Sequence, residues 1–377
     1  MTGLVVTGGG ALCARGIGFA PIAAAIARAG VAEGHPSSDS REPSTEPFPS
    51  GGGHPLADFD ARRLLGRKGT AFLDRRSALA LVASGQALQD SGLSIDETNA
   101  NRVGVTLGTT WGSLKSMSDY TRESLLADRP YLVTPANFPN TVMNCAAGQT
   151  AIRYGLKGVN ATIAGGALAF LQVLAYVANA LRCGHADAML AGAVEECTAH
   201  MAWAVHRMEP HGRIDAGEGA AVFVVERSED ARGSGRHIDL ELKSVTTSFS
   251  PAAGRSGRLS GALADCIRRG LAKSDVRAEQ VSFAVTSQSG EDDRDRIETE
   301  ALSMVFGNAQ PERLLIKKIM GECLAATGGL QLAGLLVLHR RDPSRDGRIS
   351  LFTGWTADGG VGAAIVRGWS RVSSDSG

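Results

Sequence analysis

The sequence lacks an excess of charge of either sign. Its 377 residues include 39 Lys and Arg and 39 Asp and Glu, which gives a formal net charge of zero at pH 7. Proteins that bind nucleic acid mainly through its phosphates carry a basic surplus, so this balance argues against nucleic acid as a main partner. Aromatic residues make up only 5%, whereas glycine is abundant at 47 residues. This composition favours α/β layers that pack closely through small side chains.

Paired cysteines are also absent. The six cysteines lie at positions 13, 145, 183, 197, 266 and 323, and no two of them form a C-x-x-C pair. This spacing argues against a disulfide framework or a structural zinc site, so we expect reduced thiols and no bound metal. The first residues show no basic segment followed by an apolar one, and we therefore expect a cytoplasmic protein.

Charged residues are missing from one long stretch, residues 159–181. Within it we predict a strand over 159–163, a sharp turn at Gly165-Gly166 and a helix over 167–181, with a second buried strand at 188–192. The stretch is long enough to span a bilayer. Its Ala, Gly, Thr and amide residues dilute the hydrophobicity and no second such stretch exists, which favours a buried core helix and no membrane contact.

A strand, a tight turn and a buried helix form a platform on which enzymes present a nucleophile. A residue at the turn lies at the helix N-terminus, where the helix dipole and free N–H groups stabilise an anion. A cysteine there would be reactive. This chain has Ala167 at that position. The sequence therefore predicts the architecture of an active site without its reacting atom.

Other elements are predicted from local patterns. Residues 4–7 favour a strand and residues 8–10, all glycine, favour a tight turn; dinucleotide binding there is a weak interpretation, because no acidic residue ends a second strand at the expected distance. Residues 77–91 favour an amphipathic helix. Residues 33–57 contain five prolines and few large apolar residues, which predicts a mobile surface loop whose role the sequence leaves open.

Two segments about half a chain apart repeat one pattern. Residues 217–227 and 360–367 both read G-x-G-A-A followed by an apolar strand and an Arg. Such a repeat indicates a duplicated α/β unit, and the alternative is chance likeness between two Gly- and Ala-rich strands. We predict an N-terminal half over 1–230 and a C-terminal half over 231–377.

Five segments carry a family pattern: GVTLGTTWGSL at 104–114, TPANFPNTVMNCAAGQTAIRYGLKGVN at 134–160, GHADAMLAGAVEE at 184–196, DRDRIETEALSMVFG at 293–307 and KKIMGECLAATGGLQLAG at 317–334. In this order and spacing they resemble the β-ketoacyl-ACP synthases of the thiolase superfamily. The resemblance covers almost the whole chain. It implies a thiolase-like α/β fold, a five-layer αβαβα sandwich of two duplicated halves, and dimers.

Active members of that family carry a Cys nucleophile and two His residues, and the resemblance places these positions on Ala167, Ser287 and Glu322. Alanine accepts no acyl chain as a thioester, and serine is a weaker donor than imidazole. An anionic glutamate would repel the carboxylate or enolate charge that the two His residues stabilise. The resemblance also matches Lys317 and Glu298 to a family Lys and its acidic partner, which we interpret as a structural ion pair. Loss of all three reactive groups argues against condensation by this chain.

This substitution pattern is similar to that of one subclass, the chain-length factor, or ketosynthase β subunit, of bacterial type II polyketide synthases. The resemblance implies a heterodimer with a catalytic ketosynthase α subunit, whose growing chain runs into a tunnel at the dimer interface. It also implies an acyl carrier protein, whose phosphopantetheine acts at the complex, and no cofactor bound by this chain itself. Many members have Gln at the nucleophile position, and the departure at Ala167 weakens any decarboxylase role suggested for that Gln.

The resemblance also implies tunnel and interface residues. Trp111 matches a gate of the acyl pocket, where a bulky indole would shorten or redirect the tunnel, and ordinary core packing is the alternative. Leu114 and Met117, on the following helix, either line the same wall or pack in the core. Phe138 matches a loop that crosses the dimer interface to the partner's tunnel, with plain interface or core packing as the alternative. The other residues matched to the interface are Ala136, Asn137, Thr141 and Asn144.

Three functions follow as hypotheses. The first is a non-catalytic chain-length-determining subunit that pairs with a ketosynthase. The second is an active acyltransferase or malonyl-ACP decarboxylase with chemistry relocated to Ser287, Ser289 or Glu322. The third is a homodimeric acyl-binding protein without an enzyme partner. The sequence does not give the product class, although the bulk of Trp111 tilts the interpretation toward a reduced, polyene-type chain.

Overall fold

The computed structural model describes residues 3–28, 46–50, 52–208, 215–251, 256–290 and 292–371. These residues form thirteen strands, namely β1 (Leu4–Cys13), β2 (Gly16–Ile17), β3 (Gly53–His54), β4 (Val103–Thr109), β5 (Asn160–Ala164), β6 (Ala188–Glu195), β7 (Ala216–Gly217), β8 (Gly219–Arg227), β9 (Leu240–Phe249), β10 (Val281–Thr286), β11 (Glu312–Leu315), β12 (Ile349–Trp355) and β13 (Gly360–Gly368). They form twelve α-helices, namely α1 (Phe19–Arg28), α2 (Ala61–Leu65), α3 (Arg75–Ser91), α4 (Leu114–Leu126), α5 (Cys145–Tyr154), α6 (Ala169–Arg182), α7 (Ala199–Met208), α8 (Ser228–Gly233), α9 (Ser256–Ser274), α10 (Asp292–Phe306), α11 (Ile316–Met320) and α12 (Ala326–Arg340). Short 3-10 helices include Pro135–Thr141 and Gly166–Leu168.

The strand order shows that the two halves of the chain repeat one topology. The N-terminal half-sheet runs β5-β4-β6-β8-β1 and the C-terminal one runs β11-β10-β12-β13-β9. In each half three strands are parallel and the remaining two pair antiparallel, in corresponding places. The half-sheets join where Leu4–Val6 of β1 pairs antiparallel with Leu240–Leu242 of β9. The duplication inferred from the two Gly- and Ala-rich segments is therefore visible in the topology.

The elements stack in five layers. Helices α3 and α5 cover one face of the N-terminal half-sheet, and α9 and α10 cover the outer face of the C-terminal one. Helices α6 and α12 lie between the half-sheets and pack against strands of both. Alternate strand residues serve the two faces: Val222 and Val224 of β8 face the outer helices, whereas Phe223 and Val225 face the central ones. This arrangement confirms the predicted αβαβα fold class.

Helix α3 shows how local sequence sets the ends of an element. The Asp74 carboxylate accepts a hydrogen bond from Ser77 N at 2.8 Å and caps the first turn. Gly92 ends the helix in the left-handed region, at φ 68°. The helix predicted over 77–91 is therefore present and begins two residues earlier.

The uncharged stretch 159–181 is divided among three elements. Strand β5 is followed by the 3-10 turn Gly166–Leu168 and then by α6, whose side chains form much of the central core. No helix within the described residues is long and apolar enough to cross a membrane.

The loop predicted over 33–57 falls partly outside the described residues, which omit 33–45 and 51. Its last residues are buried. Strand β3 pairs in parallel with β7, and Leu56 N donates a hydrogen bond of 2.7 Å to Glu218 Oε2. Exposure therefore does not extend to residues 53–56, because they are tied to the turn before β8. The boundary predicted after residue 230 falls inside α8, and the division into two domains stays a prediction.

The glycine run at 8–10 does not form the predicted turn. All three residues lie inside β1, because helix α3 crosses the strand here at very short range. A Cβ atom on Gly10 would lie 2.1 Å from Ala83 O, and one on Gly8 would lie 2.4 Å from Ser91 N. These glycines therefore allow a helix to pack closely on a strand and do not form a phosphate-binding turn.

Replacing Gly10 with Ala is expected to lower the free energy of unfolding by about 3 kcal/mol, because the new methyl group overlaps the Ala83 carbonyl oxygen and helix α3 has to shift. Gly3→Ala is the matched control, since its Cβ would lie 3.6 Å from Ser228 Cβ, an ordinary contact. Thermal unfolding of both variants measures the difference. Equal midpoints would contradict the close approach of α3 to β1.

Candidate functional site

A cavity of about 300 Å³ lies where the strand–turn–helix platform meets loops of the C-terminal half. We call it the central cavity. Ala167, Ser287 and Glu322, which are far apart in the sequence, all line it, together with Trp111 and Lys317. Further lining residues include Thr110, Val205, Met208, Ser289, Asp295, Leu324 and Trp355. The three positions matched to the family's reactive groups therefore share one site.

Ala167 lies between β5 and α6, at the turn that the platform requires. Gly166 adopts φ 55°, which favours glycine. A Cβ atom on Gly165 would lie 1.9 Å from Gln172 Oε1. The two glycines therefore allow a tight turn. Ala167, which is half-buried, lies at the position matched to the family's nucleophile.

Lys317 and Glu322 form a buried ion pair in the wall of the central cavity. Lys317 Nζ lies 2.6 Å from Glu322 Oε2, and the two side chains are 9% and 6% exposed. Within the described residues, the predicted pair of Lys317 with Glu298 does not form. The Glu298 carboxylate instead accepts hydrogen bonds from Ser287 N at 3.1 Å and from Thr353 Oγ1 at 2.5 Å. Lys317 therefore pairs with Glu322, five residues later in the chain, and not with Glu298.

This pair changes the expected electrostatics of the site. Glu322 is not a bare anion, because Lys317 offsets its charge and Leu324 N donates a hydrogen bond of 2.9 Å to Glu322 Oε1. The repulsion expected from an isolated carboxylate is reduced accordingly. Neither group is an imidazole, so this wall supplies no ring that exchanges a proton near pH 7.

Ser287 lines the central cavity, and the Glu298 carboxylate lies directly behind it, where it accepts the hydrogen bond from Ser287 N. Burial raises the pKa of the Glu298 carboxyl, against hydrogen bonds from Thr353 and Ser287 and the charge of Lys317, which act in the opposite direction. Ser287 Oγ is buried and forms no hydrogen bond of good geometry with the described residues. The nearest carboxyl is that of Glu298, and no described residue accepts a well-aligned hydrogen bond from the hydroxyl, as the base of a serine nucleophile does.

Trp111 contributes to both the cavity and the core. Trp111 and Leu114 are half-buried and pack against a small hydrophobic cluster that includes residues of α7. Because Trp111 also lines the central cavity, its position is compatible with the gate and with the packed side chain. Met117, one turn further on, is 43% exposed.

The loop matched to the dimer interface is open to solvent in the single chain. Phe138 is 54% exposed, and its ring packs on Tyr120 with 5.8 Å between centroids. The other interface candidates, Ala136, Asn137, Thr141 and Asn144, are exposed or half-buried. Exposed large apolar side chains are concentrated in the same region: Met117, Leu125, Leu126, Tyr131, Leu132, Phe138, Val142, Met143 and Ile152.

Sequence reasoning missed two buried carboxyls at the end of β6. Glu195 Oε1 accepts a hydrogen bond from Thr110 N, beside Trp111, and Glu196 Oε1 accepts one of 2.9 Å from Ser113 Oγ. Burial raises the pKa of Glu195 to about 7 and that of Glu196 to about 8. The two carboxyls hold the loop that carries Trp111. Their signal in the sequence is a pair of acidic residues directly after a buried strand.

Comparison with known proteins agrees with this geometry. Residues 39–211 match the family model of the β-ketoacyl synthase N-terminal domain, and residues 245–342 match that of the C-terminal domain. The chain is 27% identical over 301 residues to a "3-oxoacyl-[acyl-carrier-protein] synthase 2" of Vibrio cholerae, with 72% of this chain and 71% of the relative covered.

Two solved structures share the fold. One, "the ishigamide ketosynthase/chain length factor", superposes with a TM-score of 0.84 and 33% identity over 98% of this chain and all of the other. Another holds a type II PKS acyl-carrier protein in complex with its ketosynthase; it covers 97% of this chain and 99% of its own, with a TM-score of 0.77 and 20% identity. From the matched domains and this near-complete alignment, the chain belongs to the β-ketoacyl synthase family.

Proposed function

We propose that this chain is a non-catalytic, chain-length-determining subunit that pairs with a catalytic ketosynthase and shapes the tunnel for a polyketide carried by an acyl carrier protein. The observation that carries the proposal is the identity of three side chains that line the central cavity. A methyl group, a serine hydroxyl without an aligned base and a neutralised carboxylate occupy the three positions of the reacting groups. The phosphopantetheine of the carrier protein acts at the complex, and this chain holds no cofactor of its own.

The exposed apolar surface supports a protein partner. Nine large apolar side chains between Met117 and Ile152 face solvent in the single chain, and exposed apolar side chains concentrated in one part of a chain are typical of a protein interface. Strand β5 lies at the end of the strand order. Its outer edge has no neighbouring strand among the described residues, and such an edge is a template for pairing with another chain.

The comparisons support the same choice of partner. The 33% identical structure is described as a ketosynthase/chain length factor. The Vibrio cholerae relative is named as a synthase, and this chain differs from a condensing enzyme at all three positions matched to reactive groups. A scaffold that is kept while its reactive groups are lost fits a subunit that binds and shapes a chain without transferring it.

We expect the purified chain to show no condensation with malonyl-loaded carrier protein, and the complex with a co-purified ketosynthase to make product of one dominant length. Trp111→Ala in the complex is expected to lengthen that product, because removal of the indole opens the wall of the central cavity. Mass spectrometry of the released chains measures the length. Trp203→Ala is the matched control, since Trp203 is partly exposed on α7 and lies outside the cavity lining.

The same experiment separates the alternatives. Condensation by the chain alone, or an acyl adduct on Ser287, Ser289 or another residue in intact-mass spectra, would establish the acyltransferase or decarboxylase hypothesis. A stable homodimer that captures no ketosynthase would establish the acyl-binding hypothesis. Either result overturns the proposed function.

A further inference from the structure

A second cavity, of about 340 Å³, lies beside the loop that carries Trp111, between the start of α3, helix α4 and the exposed 3-10 helix Pro135–Thr141. We call it the acidic pocket. Four carboxyl side chains line it, from Asp74, Asp119, Glu123 and Glu196, against the two basic side chains of Arg75 and Lys115. It is separate from the central cavity and has no role in the proposed chemistry.

The two basic side chains, Arg75 and Lys115, already form ion pairs with carboxylates. Arg75 Nε and Nη2 each lie 2.7 Å from an oxygen of the buried Glu218. The Lys115 ammonium forms a salt bridge with Asp119 on the same helix. Glu123 accepts two hydrogen bonds from Thr134. Among the residues that line the pocket, no cation is therefore left for Glu196, and the cation nearest to Asp74 is the buried Arg76, which is not part of the lining.

Asp74 and Glu196 are both deeply buried, and neither is fully bonded. The Asp74 side chain is 3% exposed, and its Oδ2 has no hydrogen-bond partner among the described residues. Arg76 Nε lies 3.7 Å away, beyond hydrogen-bond length. Glu196 is 1% exposed, and the bond from Ser113 Oγ engages only its Oε1. A buried carboxylate that lacks a partner is costly, so the pocket is suited to a hydrogen-bond donor with positive charge.

The surroundings of the pocket indicate the kind of donor. Phe72, which lines the pocket, is 58% exposed, and Tyr120 of the lining packs on the exposed Phe138. Tyr131 and Leu132, in the segment between α4 and the 3-10 helix, are also exposed. A small cation would leave these apolar side chains in water. A protein face that brings its own cation would cover them, and charged anchors surrounded by apolar contacts are typical of interface hot spots.

We propose that the acidic pocket receives a lysine or arginine side chain of the partner chain, as the basic anchor of the heterodimer interface. The inference rests on the proposed function for the identity of that chain, a ketosynthase. The anchor completes the bonding of Asp74 and Glu196, and the exposed apolar side chains around the pocket exclude water from the charge pair. A partner without a basic residue at this point leaves the bonding of two buried carboxyls incomplete, so the pocket also selects between partners.

The protonation of Glu196 supplies a readout specific to this arrangement. Burial raises the pKa of Glu196 to about 8, and the negative charges of Asp74 and Glu218 act in the same direction. The hydrogen bond from Ser113 and the positive charge of Arg76 lower the pKa in part. In the single chain these contributions favour the protonated form of the carboxyl. A lysine or arginine stays charged through this range and favours the ionised carboxylate, so anchoring releases a proton. Linkage then requires the affinity for the partner to rise between pH 6.5 and pH 8.5.

The test measures Kd between this chain and the ketosynthase that co-purifies with it, at pH 6.5 and 8.5. Glu196→Gln and Asp74→Asn are each expected to weaken binding at least about tenfold at pH 8.5, as truncation of a buried charge pair does. Asparagine retains the helix cap at position 74, and thermal midpoints check that both variants fold. Glu312→Gln, an exposed carboxylate on the edge strand β11, is the matched control and is expected to bind like the wild type.

Two outcomes overturn the anchor. One is a complex whose Kd changes less than twofold in both pocket variants. The other is a wild-type Kd that is the same at pH 6.5 and 8.5. In either case the heterodimer itself still forms and the proposed function stands. Failure of the wild-type chain to bind any ketosynthase overturns both inferences together.

Discussion

Installing a cysteine at position 167 alone is expected to leave the chain unable to condense acyl units. The thiol of Ala167→Cys would stand at the turn before α6, where the helix N-terminus lowers its pKa and makes it reactive. Condensation also needs groups that handle the carboxylate and enolate charge. At the two positions matched to the family's His residues the wall has the Ser287 hydroxyl and the Lys317-paired Glu322, and neither performs the acid–base work of two imidazoles.

The triple variant Ala167→Cys, Ser287→His, Glu322→His is expected to condense on the order of 10²-fold faster than Ala167→Cys. General acid–base groups contribute about that much or more, and catalytic groups that act as a unit show their effect only together. Loss of Glu322 also frees Lys317, whose charge already acts on the buried Glu298. The triple variant can therefore form the ion pair that the family resemblance implied.

Rates of β-ketoacyl product formation from acyl- and malonyl-loaded carrier protein measure both variants. Alkylation of the new thiol by iodoacetamide is the control, because it shows that position 167 is accessible and reactive in each. A single Ala167→Cys chain that condenses as fast as the triple variant would show that the surviving groups suffice. In that case the substitutions at positions 287 and 322 have no bearing on the loss of activity.

The sequence was sufficient to predict the platform and the family pattern because both depend on local order. An apolar stretch, two glycines and the spacing between motifs are properties of consecutive residues. They placed Ala167, Ser287 and Glu322 on matching positions, and the fold brings the three to one cavity. The hydrophobic period likewise predicted helix α3 to within two residues.

What the sequence could not give depends on distances between segments. A glycine that allows a turn and a glycine that allows a helix to cross a strand look the same in a sequence, so Gly8 and Gly10 were misplaced. The choice of Lys317 between Glu298 and Glu322 depends on where two carboxylates lie in space. Asp74 and Glu196 are charged residues that pattern reasoning assigns to solvent, and only the packed structure shows them buried around a pocket.

Replacing Lys317 with Met is expected to lower the free energy of unfolding by about 3–5 kcal/mol, because it removes the ammonium group that lies 2.6 Å from the buried Glu322 carboxylate. The double variant Lys317→Met, Glu322→Gln is expected to recover most of that loss. Glutamine has no charge to bury and keeps an oxygen that accepts from Leu324 N. Chemical denaturation of the two variants and the wild type measures the difference.

Lys115→Met is the matched control for the loss of a lysine. Its pair with Asp119 is about half exposed on both sides, and surface pairs contribute about 0–1 kcal/mol. If Lys317→Met destabilises no more than Lys115→Met, the Glu322 carboxyl tolerates burial without the lysine and the pair is not a structural element.

If the double variant is stable and its ketosynthase complex makes product of unchanged length, the pair has only a structural role in the wall of the central cavity. A changed length would instead make this wall part of the tunnel that this chain shapes.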